Sequence, residues 1–206
     1  MVGGIEFNSN RTTPGCLFVA LRGGYADGHD FLAAAVANGA AAALTESFME
    51  TDVPQIVVGD TRAALPAIAA EFFGHPSRQI DVVGVTGTDG KTTTSHLLEA
   101  ILAAAGERTG MIGTMSVRIG DRLLDAETRQ TTPESVDVQR HLRRMVDDGV
   151  RVAIIEATSH GLDLHRLDAI RFRAGGVTNI THEHLEHHKT IAAYRRAKAI
   201  LFERVA

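Results

Sequence analysis

Cysteine is almost absent from this chain. Cys16 is the only one among 206 residues, so no disulfide can form within the chain, and the reducing cytoplasm is the expected compartment. A lone cysteine of this kind is expected to be a small buried hydrophobe. An excess of basic charge is missing too. Lys and Arg number 21 against 25 Asp and Glu, a net charge of −4, which gives no field for holding nucleic acid or an acidic membrane. Apolar runs stay short of the roughly 18 residues that a membrane span needs, and the N-terminus lacks the basic-then-apolar layout of a signal peptide, so no membrane insertion is expected. Internal repeats and low-complexity segments are also lacking. What remains is 44% hydrophobic and 22% charged, with 20 glycines, as expected of a soluble globular α/β protein of one or two domains.

One stretch organises the rest. Ile80 to Val85 is an apolar run that reads as a buried strand, and Gly87-Thr88-Asp89-Gly90-Lys91-Thr92-Thr93 then turns the chain into Ser95–Ala105, which has helical spacing. A strand, a glycine loop and a helix make a phosphate cradle. Gly87 and Gly90 let backbone N–H groups converge on an anion, Lys91 can reach the outer phosphates, and Thr92 or Thr93 can offer a hydroxyl to Mg²⁺. The usual pattern has a glycine where Val85 stands, so the match is to the shorter form GxxGK[ST].

On either side of this loop, helices alternate with strands, so the sheets should be at least partly parallel. The N-terminal region offers strands at Cys16–Leu21, Ala41–Thr45 and Gln55–Val58 and helices at His29–Asn38 and Thr61–Phe73. Gly74-His75-Pro76-Ser77 is the candidate linker, because Pro76 discourages helix. We expect residues 1–78 and 79–206 to form two domains. In the second, strands are expected at Arg108–Gly113, Arg151–Ile155 and Gly176–Ile180, a hairpin around Gly120-Asp121, and helices at Pro133–Asp148, with Pro133 in the first turn, and at Thr190–Arg204.

Two clusters carry further chemistry. Glu156 ends an apolar strand in the sheet that also carries the phosphate loop, where a Mg²⁺-directed carboxylate belongs. Thr181 to His188 (THEHLEHH) packs four histidines and two glutamates together, which invites zinc. The spacings match no closed zinc site, and a hard cation with oxygen ligands and one imidazole fits better beside a nucleotide. Most of these histidines are expected at the surface.

Taken in order, Pro14-Gly15 with LFVAL, DGHD at 27–30, GVTGTDGKTTT, Thr131-Thr132-Pro133-Glu134, EATSHGLDLHRL, TNITHEHLEHH, and Ala193-Tyr194 with Ala197-Lys198 and Leu201-Phe202 resemble the Mur ligases of peptidoglycan synthesis. Within that family the chain looks most like the members that add an amino acid to UDP-N-acetylmuramoyl-L-alanyl-D-glutamate. The resemblance implies a small Rossmann-like UDP-sugar-binding domain followed by a P-loop ATPase domain, and ATP-dependent amide formation through an acyl phosphate. Carried over residue by residue, it implies that Lys91 contacts the β and γ phosphates and that Thr92 with Glu156 holds one Mg²⁺. His184 would bind a second Mg²⁺ bridged by a carbamylated Lys198. Ser9, Thr131, Thr132, Thr158 and Arg166 would read the muramoyl-peptide.

The chain departs from the family at Asp89, where an Asn is usual and a carboxylate now lies near phosphates, and at Asn10 and Leu164, which lose hydrogen-bonding capacity. It also ends before the rest of the family's central sheet and the third domain that binds the incoming amino acid. A fragment of a longer ligase is therefore the expectation, with an unpaired sheet edge that favours association. Two alternatives stand beside it: a non-catalytic ATP or UDP-sugar-binding module, and a folylpolyglutamate or cyanophycin synthetase relative. DGHDF and TTPE argue against the last of these.

Overall fold

A computed structural model describes residues 2–24, 26–124 and 130–206. Backbone contacts divide the chain into two compact units, Met1–Ala69 and Ala70–Ala206.

The first unit is a parallel four-stranded sheet in the order β1 (Gly4–Glu6), β2 (Cys16–Val19), β3 (Ala42–Thr45), β4 (Gln55–Val57). Every residue of β2 is buried, as expected of a strand covered on both faces. Cys16, Phe18 and Ala43 pack against Leu32 and Ala35 of helix α1 (Leu32–Ala37), so Cys16 is the buried hydrophobe that its sequence context implies. The helix expected over 29–38 is shorter than its spacing suggests. Asp27 caps a 3-10 turn at Gly28–Phe31, its side chain accepting from the His29 backbone N–H at 3.0 Å, and α-helix begins only at Leu32. Helix α2 (Thr61–Phe72) follows β4.

The second unit is a six-stranded sheet in the order β10-β5-β9-β6-β7-β8. Strands β5 (Asp81–Thr86), β6 (Thr109–Ile112), β9 (Val152–Glu156) and β10 (Ala174–Val177) run parallel, while β7 (Val117–Ile119) and β8 (Arg122–Leu124) add an antiparallel hairpin. Among the described residues β10 forms one edge of this sheet. Helix α3 (Lys91–Ala104) lays Leu98 and Leu102 on Val85, Met111 and Ile154. Helix α4 (Ser135–Asp147) buries Val138, Leu142 and Met145, spaced to form one helical face, against Ile112, Ala153 and Ile155. Each such buried aliphatic contributes about 1.5–3 kcal/mol. Short helices α5 (Ser159–Asp163) and α6 (Leu185–His188) and the longer α7 (Ile191–Glu203) complete the unit.

Three sequence expectations are corrected. Helix α3 starts at Lys91 rather than Ser95: the β-branched Thr triplet is a weak helix former, but here it occupies the first turn after a left-handed Gly90 (φ 79°). Helix α4 starts at Ser135 with Glu134 as its cap, so Pro133 lies before the first turn. The strand expected at Gly176–Ile180 sits two residues earlier, because pairing with β5 sets Ala174 opposite Val83 and Val177 opposite Thr86. Contact with a buried neighbour overrides the weak strand propensity of Gly175-Gly176.

Gly28 illustrates why the DGHD turn needs glycine. A Cβ there would stand 2.6 Å from the Leu21 backbone nitrogen and 2.7 Å from its carbonyl oxygen, and neither can swing aside. Gly28→Ala should cost the N-terminal unit about 1–3 kcal/mol, read as a lower urea midpoint at unchanged slope. An unchanged midpoint would refute the close approach.

Candidate active site

The four parallel strands of the second unit end on the same side of the sheet, which brings chain-distant loops together at their carboxyl ends. Gly87–Gly90 follows β5, Thr114 follows β6, Glu156 closes β9, and Thr178-Asn179 follows β10. The register sets Glu156 opposite Val85, one residue from the end of β5.

The loop is held from behind by side chains. Asn179 accepts from the Asp89 N–H through its side chain at 3.1 Å and from the Thr88 N–H through its carbonyl at 2.9 Å. Thr178 Oγ1 donates to the Asp89 carbonyl at 2.6 Å, and Asn179 Nδ2 to the same oxygen at 3.1 Å. Thr88 is buried, 2.9 Å from the Tyr194 hydroxyl, and accepts from the Thr181 N–H at 2.9 Å. Gly87 has φ 147°, and a Cβ there would collide with Thr178 Oγ1, so only glycine fits.

Glu156 is wholly buried. Thr92 Oγ1 and Thr114 Oγ1 each donate to its Oε2 at 2.9 Å, and the Thr114 N–H approaches Oε1 at 3.4 Å. Among the described residues no lysine or arginine forms an ion pair with it. A buried carboxylate served only by neutral donors, next to a hydroxyl at the head of a phosphate-loop helix, is a donor set suited to Mg²⁺.

Two lysines share one acceptor. Lys91 Nζ donates to the carbonyls of Gly87 and Thr88 at 2.9 and 2.8 Å, and Lys198 Nζ donates to Gly87 at 2.7 Å. Lys198 is 2% exposed, lies 4.5 Å from the Tyr194 ring centre, and meets no carboxylate in an ion pair among the described residues. Burial, followed by the charge of Lys91, pushes its ammonium down to about 8.

Beside the loop, a cavity of about 270 Å³ is lined by Thr88, Asp89, Gly90, Lys91, Thr92, Thr93, Thr114, Thr131, Thr158, Glu183 and His184. Nine of the sequence-predicted positions therefore surround one space. His184 enters it in the left-handed region (φ 54°, ψ 32°), an unusual conformation for a non-glycine residue at a candidate ligand position. Thr132 is placed differently: it is 1% exposed, donates to the Glu156 carbonyl at 2.8 Å and accepts from the Thr158 N–H at 3.1 Å. Arg166 donates to the Thr132 carbonyl at 2.9 Å and pairs with Glu134 at 2.9 Å. Ser9 belongs to the N-terminal unit, where its carbonyl accepts from Asn38 Nδ2 at 2.9 Å.

Not all of the histidines stay at the surface. His188 is 6% exposed, and His160, His184 and His187 stack around one another with ring centres 4.4 to 4.7 Å apart about His160. Burial first, and then the neighbouring imidazoles, push His160 down to about 4.

Sequence reasoning assigned no role to Thr114, Thr178, Asn179 or Tyr194. A strand-end position in a parallel sheet is the signal that would have marked Thr114 and Asn179.

Fold and site together define an α/β protein built on a strand, glycine-loop and helix phosphate cradle. Residues 85–206 match the Mur ligase middle domain and residues 2–73 match the Mur ligase family catalytic domain. The chain belongs to the Mur ligase family. It is 42% identical, over 98% of its length, to UDP-N-acetylmuramoyl-L-alanyl-D-glutamate-2,6-diaminopimelate ligase of Bacillus licheniformis and covers 41% of that protein. It is 45% identical, over its whole length, to UDP-N-acetylmuramyl-tripeptide synthetase of a Roseiflexus species, again covering 41%. A solved structure of a UDP-N-acetylmuramoyl-L-alanyl-D-glutamate-2,6-diaminopimelate ligase superimposes with a TM-score of 0.82 at 28% identity, over 98% of this chain and 41% of that one. The chain thus spans about two fifths of the length of the relatives it matches. No helix among the described residues is long and apolar enough to cross a membrane.

Thr132 binds Glu156 to Thr158 through one hydroxyl, so its removal tests this scaffold directly. Thr132→Val should destabilise the second unit by about 1–3 kcal/mol in urea unfolding, and Thr132→Ser should recover most of that loss.

Proposed function

We propose that this chain supplies the UDP-sugar-binding and ATP-binding portions, residues 1–78 and 79–206, of a ligase that joins an amino acid to UDP-N-acetylmuramoyl-L-alanyl-D-glutamate. The observation that carries this reading is the bond of Thr92 to the buried Glu156 at the head of the phosphate-loop helix, with Lys91 and Lys198 both on the Gly87 carbonyl of the same loop. The 42% identity to a ligase named for that substrate, and the 45% identity to a UDP-N-acetylmuramyl-tripeptide synthetase, support the assignment.

In this reading the substrate carboxylate attacks the γ-phosphate of ATP, ADP leaves, and the amino group of the incoming amino acid displaces phosphate from the acyl phosphate. The chain needs little covalent chemistry of its own, because positioning and charge neutralisation lower the barrier. Backbone N–H groups of Gly90, Lys91 and Thr92 cradle the phosphates at the start of α3, and Lys91 turns from the loop carbonyls to the outer phosphates. Thr92 and Glu156 would hold one Mg²⁺, and His184 with a carbamylated Lys198 would hold a second. Mg²⁺ supplies charge neutralisation along the phosphates. Thr131 and Thr158, on the cavity wall, orient the muramoyl-peptide. Thr132 and Arg166 act by fixing that wall, and Ser9 is assigned to substrate binding within the N-terminal unit. Lys198 suits carbamylation because a lysine pushed down to about 8 offers a neutral amine to CO₂ near neutral pH, and the product carboxylate is an oxygen ligand.

A chimera carrying this chain in place of the matching segment of the Bacillus licheniformis ligase should release phosphate from ATP only with UDP-N-acetylmuramoyl-L-alanyl-D-glutamate and an amino acid both present. Glu156→Gln in that chimera should lower kcat by about 100-fold or more. Nucleotide binding without substrate-dependent phosphate release would favour a binding module instead.

The carbamate has its own readout on the chain as it stands. In ¹³C-bicarbonate, a carbamate resonance should appear that is absent from Lys198→Ala. At fixed dissolved CO₂ its occupancy should rise as the pH passes upward through about 8, where Lys198 loses its proton. A folded wild-type chain with no such resonance would remove Lys198 from the metal site.

A further inference from the structure

We propose that Asp163, His187 and His188 form a binding site for a divalent cation of the zinc class, separate from the phosphate-loop site and independent of the ligase reading. The three residues come from the end of α5 and from α6, 24 and 25 positions apart in sequence, and each offers one ligand atom within 4.8 Å of the other two. His187 Nε2 already lies 2.8 Å from Asp163 Oδ2.

The least expected of the three is His188. It is 6% exposed, its Nε2 has no hydrogen-bond partner among the described residues, and one of its ring nitrogens is the ligand atom within this group. A buried imidazole nitrogen without a partner is costly unless something binds it. Its two neighbours are open to water, with side chains 31% exposed at His187 and 44% at Asp163, so a cation has a way in and a water can complete the coordination. Ligand atoms on a tetrahedral ion at about 2.1 Å stand about 3.4 Å apart, which lies between the 2.8 Å and 4.8 Å found here and needs only small side-chain rotations.

The donor set chooses the metal. Two imidazoles and one carboxylate match zinc and its neighbours, whereas Mg²⁺ demands a shell of oxygens. His160 with His184 and Glu186 forms a second group of the same kind, but it shares His184 with the proposed nucleotide-site metal and is not assigned here. An ion on Asp163, His187 and His188 would tie α5 to α6 next to Tyr194, whose ring centre is 5.4 Å from that of His188 and whose hydroxyl meets Thr88 of the phosphate loop.

Metal-stripped chain titrated with Co²⁺ should bind one ion with visible absorption of a tetrahedral centre, lost on adding Zn²⁺ and retained in excess Mg²⁺. His187→Phe and the isosteric Asp163→Asn should each weaken Zn²⁺ binding by about tenfold or more in calorimetry, whereas Glu186→Gln, in the neighbouring group, should leave it unchanged. Both variants alter solvent-reaching side chains, and circular dichroism verifies that they fold. The proposal is overturned if Co²⁺ gives no such spectrum, if neither variant weakens Zn²⁺ binding, or if Glu186→Gln abolishes it.

Discussion

The buried carboxylate of Glu156 is the constraint on which the second unit depends. A charge with no exposure and no cationic partner among the described residues is costly, so each of its oxygens must find a donor. Its three donors come from two separate places: the Thr92 hydroxyl at the head of α3, and the hydroxyl and backbone N–H of Thr114 beyond β6. The Glu156 carbonyl is tied down as well, by Thr132. The hydrogen bonds that keep the charge solvated therefore also fix the phosphate-loop helix, the end of β6 and the strand before α5 relative to one another. Leaving the carboxylate with only neutral donors costs stability and keeps it available to a cation.

The lysines follow the opposite logic. Lys91 and Lys198 are two like charges that share the Gly87 carbonyl, an arrangement that repels and that burial makes worse. Stability alone would not select it. An anion at the loop relieves Lys91, and loss of a proton or conversion to a carbamate relieves Lys198, so the strain is released by the species the site is proposed to bind.

The features legible in the sequence were those that a short stretch carries by itself. Gly87, Gly90 and Lys91 lie within five residues, and Glu156 ends an uninterrupted apolar run, so the cradle and its carboxylate could be read without a structure, as could the α/β class and the family. Thr114, Asn179 and Tyr194 could not, because their partners lie 42, 90 and 106 positions away and meet them only through the strand order β10-β5-β9-β6. The same reason hid the packing of His160 against the histidines of α6. Element ends failed where local preference and tertiary contact disagree: threonines at a helix start, a Gly pair in an edge strand, and a proline just outside α4.

Asp89 shows how these levels combine. In sequence it is the least suitable residue of the loop, a carboxylate among phosphate-binding groups. In the structure its side chain is exposed and its backbone is what the fold engages: its N–H is held by the Asn179 side chain and its carbonyl by Thr178 and Asn179. The loop's shape is thus set by groups behind it that do not depend on the identity of residue 89. A charge on an exposed side chain is screened by water and salt, so its repulsion of a bound phosphate is weak compared with that of a buried charge. Backbone geometry and solvent exposure together explain how an aspartate is accommodated in this loop: the groups that set its shape hold the backbone of residue 89 and leave its side chain in water.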